Sequence, residues 1–206
     1  MFRRTKSVVG LDLGHQAVKA VEISMEGPEP VITGFARAEI APGADRAEAI
    51  AKVFQQGKFK SKAVVTSVSG QAVVVRYITM MQMTDAELRQ AIRFESDKYL
   101  PFEADEVQID CQRLMRKPHA PSEGAAAGGE QMSVVIAACK KSAVEERVQE
   151  IVRHGLSPLA VDVDVFALAN AWELCGLSEV AGEAGGERAI ALVDVGASVT
   201  SINVLC

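Results

Sequence analysis

The stretch from Val8 to Ile23, VVGLDLGHQAVKAVEI, decides the fold of this chain. Two apolar runs flank a tight turn that holds Asp12 and Gly14, with Lys19 just beyond it, a pattern typical of a β-hairpin. A second stretch of the same design, IALVDVGASVTSI, spans residues 190–202. A single Asp-x-Gly turn between strands is usually no more than a hairpin turn. Two such turns at opposite ends of a domain instead favour a phosphate clamp.

The composition indicates a globular protein with a sizeable core. The chain has 206 residues, which allows one domain or two small ones, and 49% of them are hydrophobic and 24% charged. A net charge of −5 argues against a nucleic-acid surface, which needs clustered Lys and Arg. Zinc spacing and a disulfide framework are absent from the scattered cysteines and histidines, which are Cys111, Cys139, Cys175, Cys206, His15, His119 and His154. This cysteine usage predicts that the protein is located in a reducing cytosol.

The sequence carries no recognisable export or membrane segment. The basic start, Met1–Lys6, precedes an apolar run that Asp12 interrupts, and a small-residue cleavage site is absent. Apolar runs fall short of the roughly 18 residues that span a bilayer. We therefore expect a cytosolic protein, which still allows docking on a membrane protein.

The first third of the chain reads as half of an α/β nucleotide fold. A third strand is expected at Val31–Ile40. A helix is expected to begin at Asp45 and to end at Gly57, and a fourth strand follows at Val64–Val68.

The middle of the chain changes character. A β-rich run (Ala72–Ile78) leads to a capping box of Thr84 and Glu87, which predicts a helix that Pro101 stops. One face of that helix is expected to carry Leu88, Ala91, Ile92, Glu95 and Tyr99. Strands are expected at Val107–Leu114 and Met132–Cys139, with a Pro/Gly-rich loop at Lys117–Gln131 between them.

The last third returns to strand and helix patterns. A second capping box, Ser142 with Glu145, predicts a helix that ends at Gly155. A strand at Leu159–Val163 and an apolar helix at Val165–Cys175 follow, with Asp164 as its expected N-cap. A loop is expected at Ser178–Arg188, before the second hairpin.

The residue types in the two turns suit the phosphates of a nucleotide. Glycine permits close backbone approach, lysine acts as a point charge, and Mg²⁺ prefers few carboxylates and several waters. We expect Asp12 and Asp194 to hold Mg²⁺ through water, and Ser198 with the N–H groups of the second turn to grip the terminal phosphate. The candidate nucleotide-binding residues are Asp12, Gly14, Gln16, Lys19, Asp194, Gly196, Ala197 and Ser198.

These motifs carry a resemblance to a known family. The hairpins are similar to the phosphate-1 and phosphate-2 loops of the actin/sugar-kinase/Hsp70 superfamily. The middle segment AIRFESDKYLPF (Ala91–Phe102) resembles the E-x-x-x-Y-[IL]-P-F segment of the PilM family, the actin-like cytoplasmic proteins of the type IV pilus assembly platform. The resemblance runs from about Val8 to Leu205, and the middle segment makes it specific.

The resemblance implies an α/β, actin-like ATPase fold of the FtsA type. A ribonuclease-H-like domain 1A, of residues 1–71 and 157–206, would hold both hairpins, and a small inserted α+β domain 1C would span 72–156. The family continues past the second hairpin into a lobe with an adenosine-binding motif, which this sequence does not contain. We therefore expect the C-terminal lobe to be missing, with at most half of a nucleotide site.

The resemblance also implies a function. Family members bind ATP and Mg²⁺ and capture the N-terminal cytoplasmic tail of the inner-membrane protein PilN in a groove beside domain 1C. Contacts with the pilus motor ATPases and the platform protein, at the cytoplasmic face of the inner membrane, are further expectations for a scaffold of twitching motility. ATP hydrolysis is expected to be weak or absent.

Several residue roles stay open at this point. Glu95 has two possible roles: it forms a buried structural hydrogen bond, or it contacts the partner peptide. Tyr99 and Phe102 either contact the partner or cap the core of domain 1C. Asp162 or Asp164 lies where related ATPases place a residue that orients the attacking water, but Asp164 fits an N-cap as well. The turn His15-Gln16-Ala17 departs from the Ser/Thr-rich family pattern, although Gln16 still offers an amide donor and His15 reads as an exposed turn residue.

Two other functions fit the same phosphate loops. One is an FtsA-like filament of cell division, which would carry a C-terminal amphipathic helix. The other is a sugar or acid kinase. Against the kinase, the sequence lacks an evident sugar-binding cluster after the first turn, and the inserted segment is unexplained.

Overall fold

The computed structural model describes residues 7–114, 130–175 and 189–205. The expected loop at Lys117–Gln131, apart from its last two residues, and the one at Ser178–Arg188 lie outside them. The chain forms two compact units: unit 1 comprises Met1–Gly70 and Glu145–Cys206, and unit 2 comprises Gln71–Val144. Among the described residues, no helix is long and apolar enough to cross a membrane.

The regular elements alternate as an α/β chain. The strands are β1 (Ser7–Leu13), β2 (Ala17–Ser24), β3 (Val31–Glu39), β4 (Ala63–Val68), β5 (Val73–Met81), β6 (Val107–Arg113), β7 (Gln131–Lys140), β8 (Ser157–Val163), β9 (Ile190–Val195) and β10 (Thr200–Leu205). The helices are α1 (Arg46–Gly57), α2 (Asp85–Phe94), α3 (Lys141–Val152) and α4 (Asp164–Leu174).

Unit 1 is built on a mixed five-stranded sheet in the order β3-β2-β1-β4-β8. β2 pairs antiparallel with β1 and β3, whereas β4 pairs parallel with β1 and β8. The apolar side chains of β1 alternate with exposed ones, as expected for a strand with one buried face. They form one core with α1 and the end of α3, to which Val9, Leu11, Leu13, Ile50, Val53 and Ile151 belong.

Helix α1 begins and ends where its sequence predicts. The carboxylate of Asp45 accepts a hydrogen bond from the N–H of Ala47 at 3.0 Å, which is an N-cap bond. Gly57 is the last helical residue, but the left-handed backbone that follows belongs to Lys58, with φ 48°. Gly57 is needed for space instead, because a Cβ there would collide with the ring of Phe59, which meets Phe54 edge-on.

The second capping box is a wrong prediction. Helix α3 starts at Lys141, directly after β7 ends at Lys140, so Ser142 lies inside the first turn and not at the cap. Helix α3 begins one residue before Ser142 because the N–H of Lys141 donates to the carbonyl of Glu106 at 2.9 Å.

The chain passes from unit 2 back to unit 1 within α3, between Val144 and Glu145. Ile151 joins the core of unit 1, and Glu150 forms an ion pair with Arg46 of the same unit. The second half of α3 therefore belongs with the residues that follow it.

Unit 2 is a three-stranded antiparallel sheet, in the order β5-β7-β6, covered by α2. Its core cluster includes Leu88 and Ile92 of α2 and Met132, Val134 and Ile136 of β7. The predicted first capping box is confirmed: the N–H of Glu87 donates to the Thr84 hydroxyl at 3.3 Å, and the Glu87 carboxylate accepts the N–H of Thr84 at 2.8 Å.

Helix α2 is shorter than predicted. It ends at Phe94, and a 3₁₀ turn at Ser96–Lys98 follows, so Pro101 does not stop it. The carbonyl of the buried Ser96 accepts the N–H groups of both Tyr99 and Leu100, which tightens the chain before the proline is reached. Glu95 and Tyr99 therefore do not continue the helical face of Leu88.

Candidate functional site

The first hairpin places Asp12 and Lys19 directly opposite each other on β1 and β2. The Lys19 ammonium lies 2.7 Å from the Asp12 carboxylate, and both side chains are about half exposed. The cation predicted to meet a phosphate is thus held by the carboxylate predicted to meet Mg²⁺. Each group has its charge partner on the same face of the same hairpin.

The two Asp-x-Gly turns have the same geometry. A Cβ on Gly14 would lie 2.7 Å from the carbonyl oxygen of Ala17, and one on Gly196 would lie 2.8 Å from that of Val199. The N–H of Gly196 also donates to Val199 at 3.0 Å. Glycine fits such turns without displacing the carbonyl, and its missing side chain permits close approach to the backbone. The glycines of both turns therefore meet the same steric requirement.

The remaining turn residues are accessible. His15, Gln16, Ala197 and Ser198 are all exposed. The carbonyl of Gln16 accepts the N–H of Ile40 at 2.9 Å, which ties the first turn to the end of β3 while the Gln16 side chain stays at the surface. His15 is an exposed turn residue, as expected.

Asp164 lies within electrostatic reach of both turn aspartates. It is the first residue of α4, and Val163, without a side-chain bond, takes the cap position that was expected for Asp164. Its carboxylate accepts the N–H of Val165 at 2.8 Å. Burial raises the pKa of Asp164, the Val165 N–H opposes this, and repulsion from Asp194 and Asp12 raises it further. The fold has therefore brought three distant aspartates into one neighbourhood.

Asn203 ties the second hairpin to α4, a contact that the sequence pattern did not reveal. Its side-chain amide donates to the carbonyl of Val165 at 3.0 Å. Asparagine is depleted in strands, so its presence in the middle of an apolar strand was the available signal. This bond connects β10 to the first turn of the helix that carries Asp164.

Arg147 is a second residue that the sequence pattern did not single out. Its Nη1 atom is buried, lies 3.6 Å from the Glu150 carboxylate and has no hydrogen-bond partner within the described part of the chain. Burial lowers the pKa of Arg147, while Glu150 and, more weakly, Asp12 raise it. The sequence signal for its burial was a cationic residue beside the apolar helix positions Val144, Val148 and Ile151.

The partner-groove candidates sit after α2 in unit 2. The Glu95 carboxylate lies 3.0 Å from the Lys98 ammonium and accepts a 3.5 Å hydrogen bond from the Tyr99 hydroxyl. It is 39% exposed, so it is neither buried nor unpaired. Tyr99 and Phe102 pack against the unit 2 core, and the Lys140 ammonium lies 5.4 Å from the centre of the Phe102 ring.

The metal-binding capacity of the two turns rests on two carboxylates. Over residues 7–114, 130–175 and 189–205, no group of three or more His, Cys, Asp or Glu side chains is close enough to hold a metal ion. A site with few protein ligands and several waters is one that Mg²⁺ accepts and that zinc does not favour.

Comparison with known proteins identifies close relatives. The family model described as type IV pilus assembly protein PilM matches residues 10–206. A solved chain described as the PilM–PilN type IV pilus biogenesis complex is 29% identical, with a TM-score of 0.76. That match covers 98% of this chain, which spans 59% of the length of the solved one.

A more distant match supports the fold alone. The cytoplasmic domain of EpsL, an inner membrane component of the type II secretion system of Vibrio cholerae, is 13% identical, with a TM-score of 0.50 over 78% of this chain and 58% of that one. With the mixed sheet of unit 1, these matches confirm the expected α/β, actin-like fold class.

Proposed function

The chain belongs to the family of the type IV pilus assembly protein PilM, and on that premise we propose that it is an actin-like scaffold that binds the N-terminal cytoplasmic tail of PilN. One observation carries the proposal: nearly the whole chain matches, at 29% identity, a chain of a solved PilM–PilN complex. The family match favours pilus assembly over a division filament or a sugar kinase.

The proposed place of the protein is the cytoplasmic face of the inner membrane. There it would hold the PilN tail and connect it to the pilus motor ATPases and the platform protein during twitching motility. Unit 1 would serve as domain 1A and unit 2 as the inserted domain 1C. Glu95, Tyr99 and Phe102 are the proposed tail contacts, because they lie together after α2 with the Glu95 carboxylate partly exposed.

The test is direct binding of the tail. A fluorescently labelled peptide with the sequence of the PilN N-terminal tail is titrated with the protein and followed by anisotropy. We expect micromolar binding or tighter, weakened by Glu95→Gln and by Tyr99→Phe, which removes only the hydroxyl. A scrambled peptide is the control, and equal binding of the scrambled and native tails would contradict the proposal.

We further propose that the two hairpins hold ATP with Mg²⁺. The fit of the residues supports this: the glycines lack a side chain and so permit close approach of a phosphate to the backbone, and the nearby carboxylates are oxygen donors that Mg²⁺ prefers. Asp12 and Asp194 would hold the ion through water. The Ala197 N–H, the Gln16 amide and Ser198 would bind phosphate oxygens, while Gly14 and Gly196 would give them room, since the Gly196 N–H already donates to Val199. The bound ion supplies neutralisation of phosphate charge.

The Asp12–Lys19 pair opens on binding in this scheme. Mg²⁺ gives the Asp12 carboxylate a new partner at the same time as a phosphate gives the Lys19 ammonium one. The exposed pair costs little to open, because such pairs contribute about 0–1 kcal/mol. Asp164 would orient water toward the phosphate. Burial and the acidic neighbours raise the pKa of Asp164 above its ordinary value.

Lys19→Ala tests the nucleotide proposal. Loss of a charge-assisted phosphate contact, about 1.5–3 kcal/mol, should weaken binding of a fluorescent ATP analogue roughly tenfold or more in the presence of Mg²⁺. Lys52→Ala, an exposed lysine of α1, is the matched control and should leave the affinity unchanged. Equal affinities of the Lys19 variant and the parent would exclude Lys19 from the site.

A further inference from the structure

A groove in unit 2 runs between α2 and β6. It consists of two adjoining cavities of about 250 and 450 Å³, both of which Arg89 and Cys111 line. Helix and strand lie along each other, because Asp85 at the start of α2 binds Arg113 at the end of β6 at 2.6 Å, and Arg93 shares the first cavity with Val107. We call this feature the α2–β6 groove.

The α2–β6 groove is positively charged on an acidic protein. Four cationic side chains line it, against two carboxylates, on a chain of net charge −5. The cations are Arg89, Arg93, Arg113 and Lys141, and the acids are Asp85 and Asp110.

Two of these cations form no side-chain ion pair or hydrogen bond in the described part of the chain, although Asp85 attracts Arg89 electrostatically. Arg113 is bound by Asp85, and the Lys141 ammonium donates to the carbonyl of Asp105. Arg89 and Arg93, one helical turn apart, are exposed and have neither a hydrogen-bond nor an ion-pair partner for their side chains among those residues. Their guanidinium groups are available to a carboxylate, which they bind in bidentate geometry.

The backbone of β6 is open along the same groove. Within the described residues, β6 is an edge strand of the three-stranded sheet. The N–H of Leu114 donates to Ser133 of the β7 side, and the carbonyl of Glu106 accepts the N–H of Lys141. By the alternation of an antiparallel ladder, Val107, Ile109 and Cys111 then direct their N–H and C=O groups away from β7. Asp110 already accepts the N–H of Cys111, so Ile109 is the open position.

From these contacts we propose that the α2–β6 groove binds an extended acidic peptide of a partner protein, which adds a strand to β6 at Ile109. The spacings agree: residues four apart on a helix are about 6 Å apart along its axis, and alternate residues of a strand about 6.6 Å. Acidic residues at alternate peptide positions therefore meet Arg89 and Arg93 in register. Main-chain hydrogen bonds supply affinity, and the two arginines supply the preference for acidic sequences.

The test uses a fluorescent peptide of alternating glutamate and threonine, titrated by anisotropy against the full chain. We expect saturable binding that weakens with added salt, and roughly tenfold or more weaker binding of the same peptide with lysine for glutamate. A third peptide, N-methylated along one edge, cannot form the main-chain bonds and should also lose about tenfold. If it binds as well as the parent peptide, strand addition is wrong.

The protein variants test the arginines. Arg89→Glu with Arg93→Glu should reduce affinity for the acidic peptide at least tenfold, since both residues are exposed and their replacement leaves the core intact. Arg76→Glu, one such charge reversal at an exposed position on β5, is the control for each arginine variant taken singly. Circular dichroism confirms folding of each variant. Unchanged binding by the double variant would overturn the proposal, and the PilN-tail assay on that variant keeps this outcome separate from the proposed function.

Discussion

Glu22 is a buried carboxylate on β2 of unit 1. It is 2% exposed, and it accepts the N–H groups of Lys60 and Ser61 at 2.8 Å each and the Thr33 hydroxyl at 2.9 Å. Burial alone raises the pKa of Glu22, but the Ser61 N–H, the Thr33 hydroxyl and the Lys60 N–H together outweigh it, so its pKa lies below the usual value. The ionised side chain joins β2 and β3 to the segment before β4.

We predict that unit 1 loses stability in acid through Glu22. Because its pKa is lower in the folded chain, its contribution is fully present above the unfolded value near 4.5 and is lost as pH falls through the folded value. Glu22→Gln, which turns an amide NH₂ toward N–H donors, should cost about 1–3 kcal/mol at pH 7. Urea unfolding measures this. The deficit should shrink as pH falls below 4.5, and Glu29→Gln, at an exposed loop position, should show none.

Glu22 and Gly14 show how far the structural role of a single residue can be predicted from the sequence. Gly14 was identifiable from its sequence neighbours, because the turn that needs it is formed by adjacent residues. The partners of Glu22 include residues 38 and 39 positions away, so the pattern alone offered only a charge on an apolar strand. Tertiary packing decided that this charge is buried and satisfied.

At the scale of elements, two similar sequence signals had different outcomes. Thr84 with Glu87 forms a capping box before α2, whereas Ser142 with Glu145 lies within the first turn of α3. The side-chain chemistry is the same. Their positions differ because β7 runs directly into α3 and leaves no extended residue at Ser142 to act as a cap.

We therefore predict that the two hydroxyls contribute differently to stability. Thr84→Ala should destabilise unit 2 by about 1 kcal/mol, the usual worth of an N-cap, and Thr84→Ser should recover most of it. Ser142→Ala, at an exposed position inside a helix, should change stability by less than about 0.5 kcal/mol. Thermal melts followed by circular dichroism measure all three. Equal losses at Thr84 and Ser142 would contradict the difference in position.

At the scale of the whole molecule, an ion-pair network joins parts of unit 1 that are far apart in sequence. Glu150 of α3 accepts from Arg46 of α1 at 3.1 Å, across 104 residues, and also lies 3.6 Å from Arg147. The side chains are 19–28% exposed, so solvent screens them only in part. The network links α3, which leads out of unit 2, to α1, which precedes unit 2 in the sequence.

We predict that Glu150→Gln destabilises unit 1 by about 1–3 kcal/mol, since it removes the carboxylate that pairs with two partly buried guanidinium groups. Glu145→Gln, at an exposed position on the same helix, is the matched control. Chemical unfolding of the single variants, with Arg46→Ala and the double variant, completes a thermodynamic cycle. A coupling energy of zero between residues 46 and 150 would show that the pair adds nothing.

The local features of this protein can be read from its amino-acid sequence. Its hairpins, the Asp-x-Gly turns, the first capping box and the family segment E-x-x-x-Y-L-P-F all follow from residues within a few positions of one another. Strand periodicity and turn chemistry act over such short distances, so they can be read without the fold.

Which distant groups meet depends on the packing of the folded chain. It placed Asp164 near Asp12 and Asp194, buried Arg147 beside Glu150, ended α2 before Pro101, and laid the free arginines of α2 along the open edge of β6. These outcomes depend on how strands and helices stack and on which charges lose water when they do. Such energies belong to contacts between segments, and no periodicity within a single segment records them.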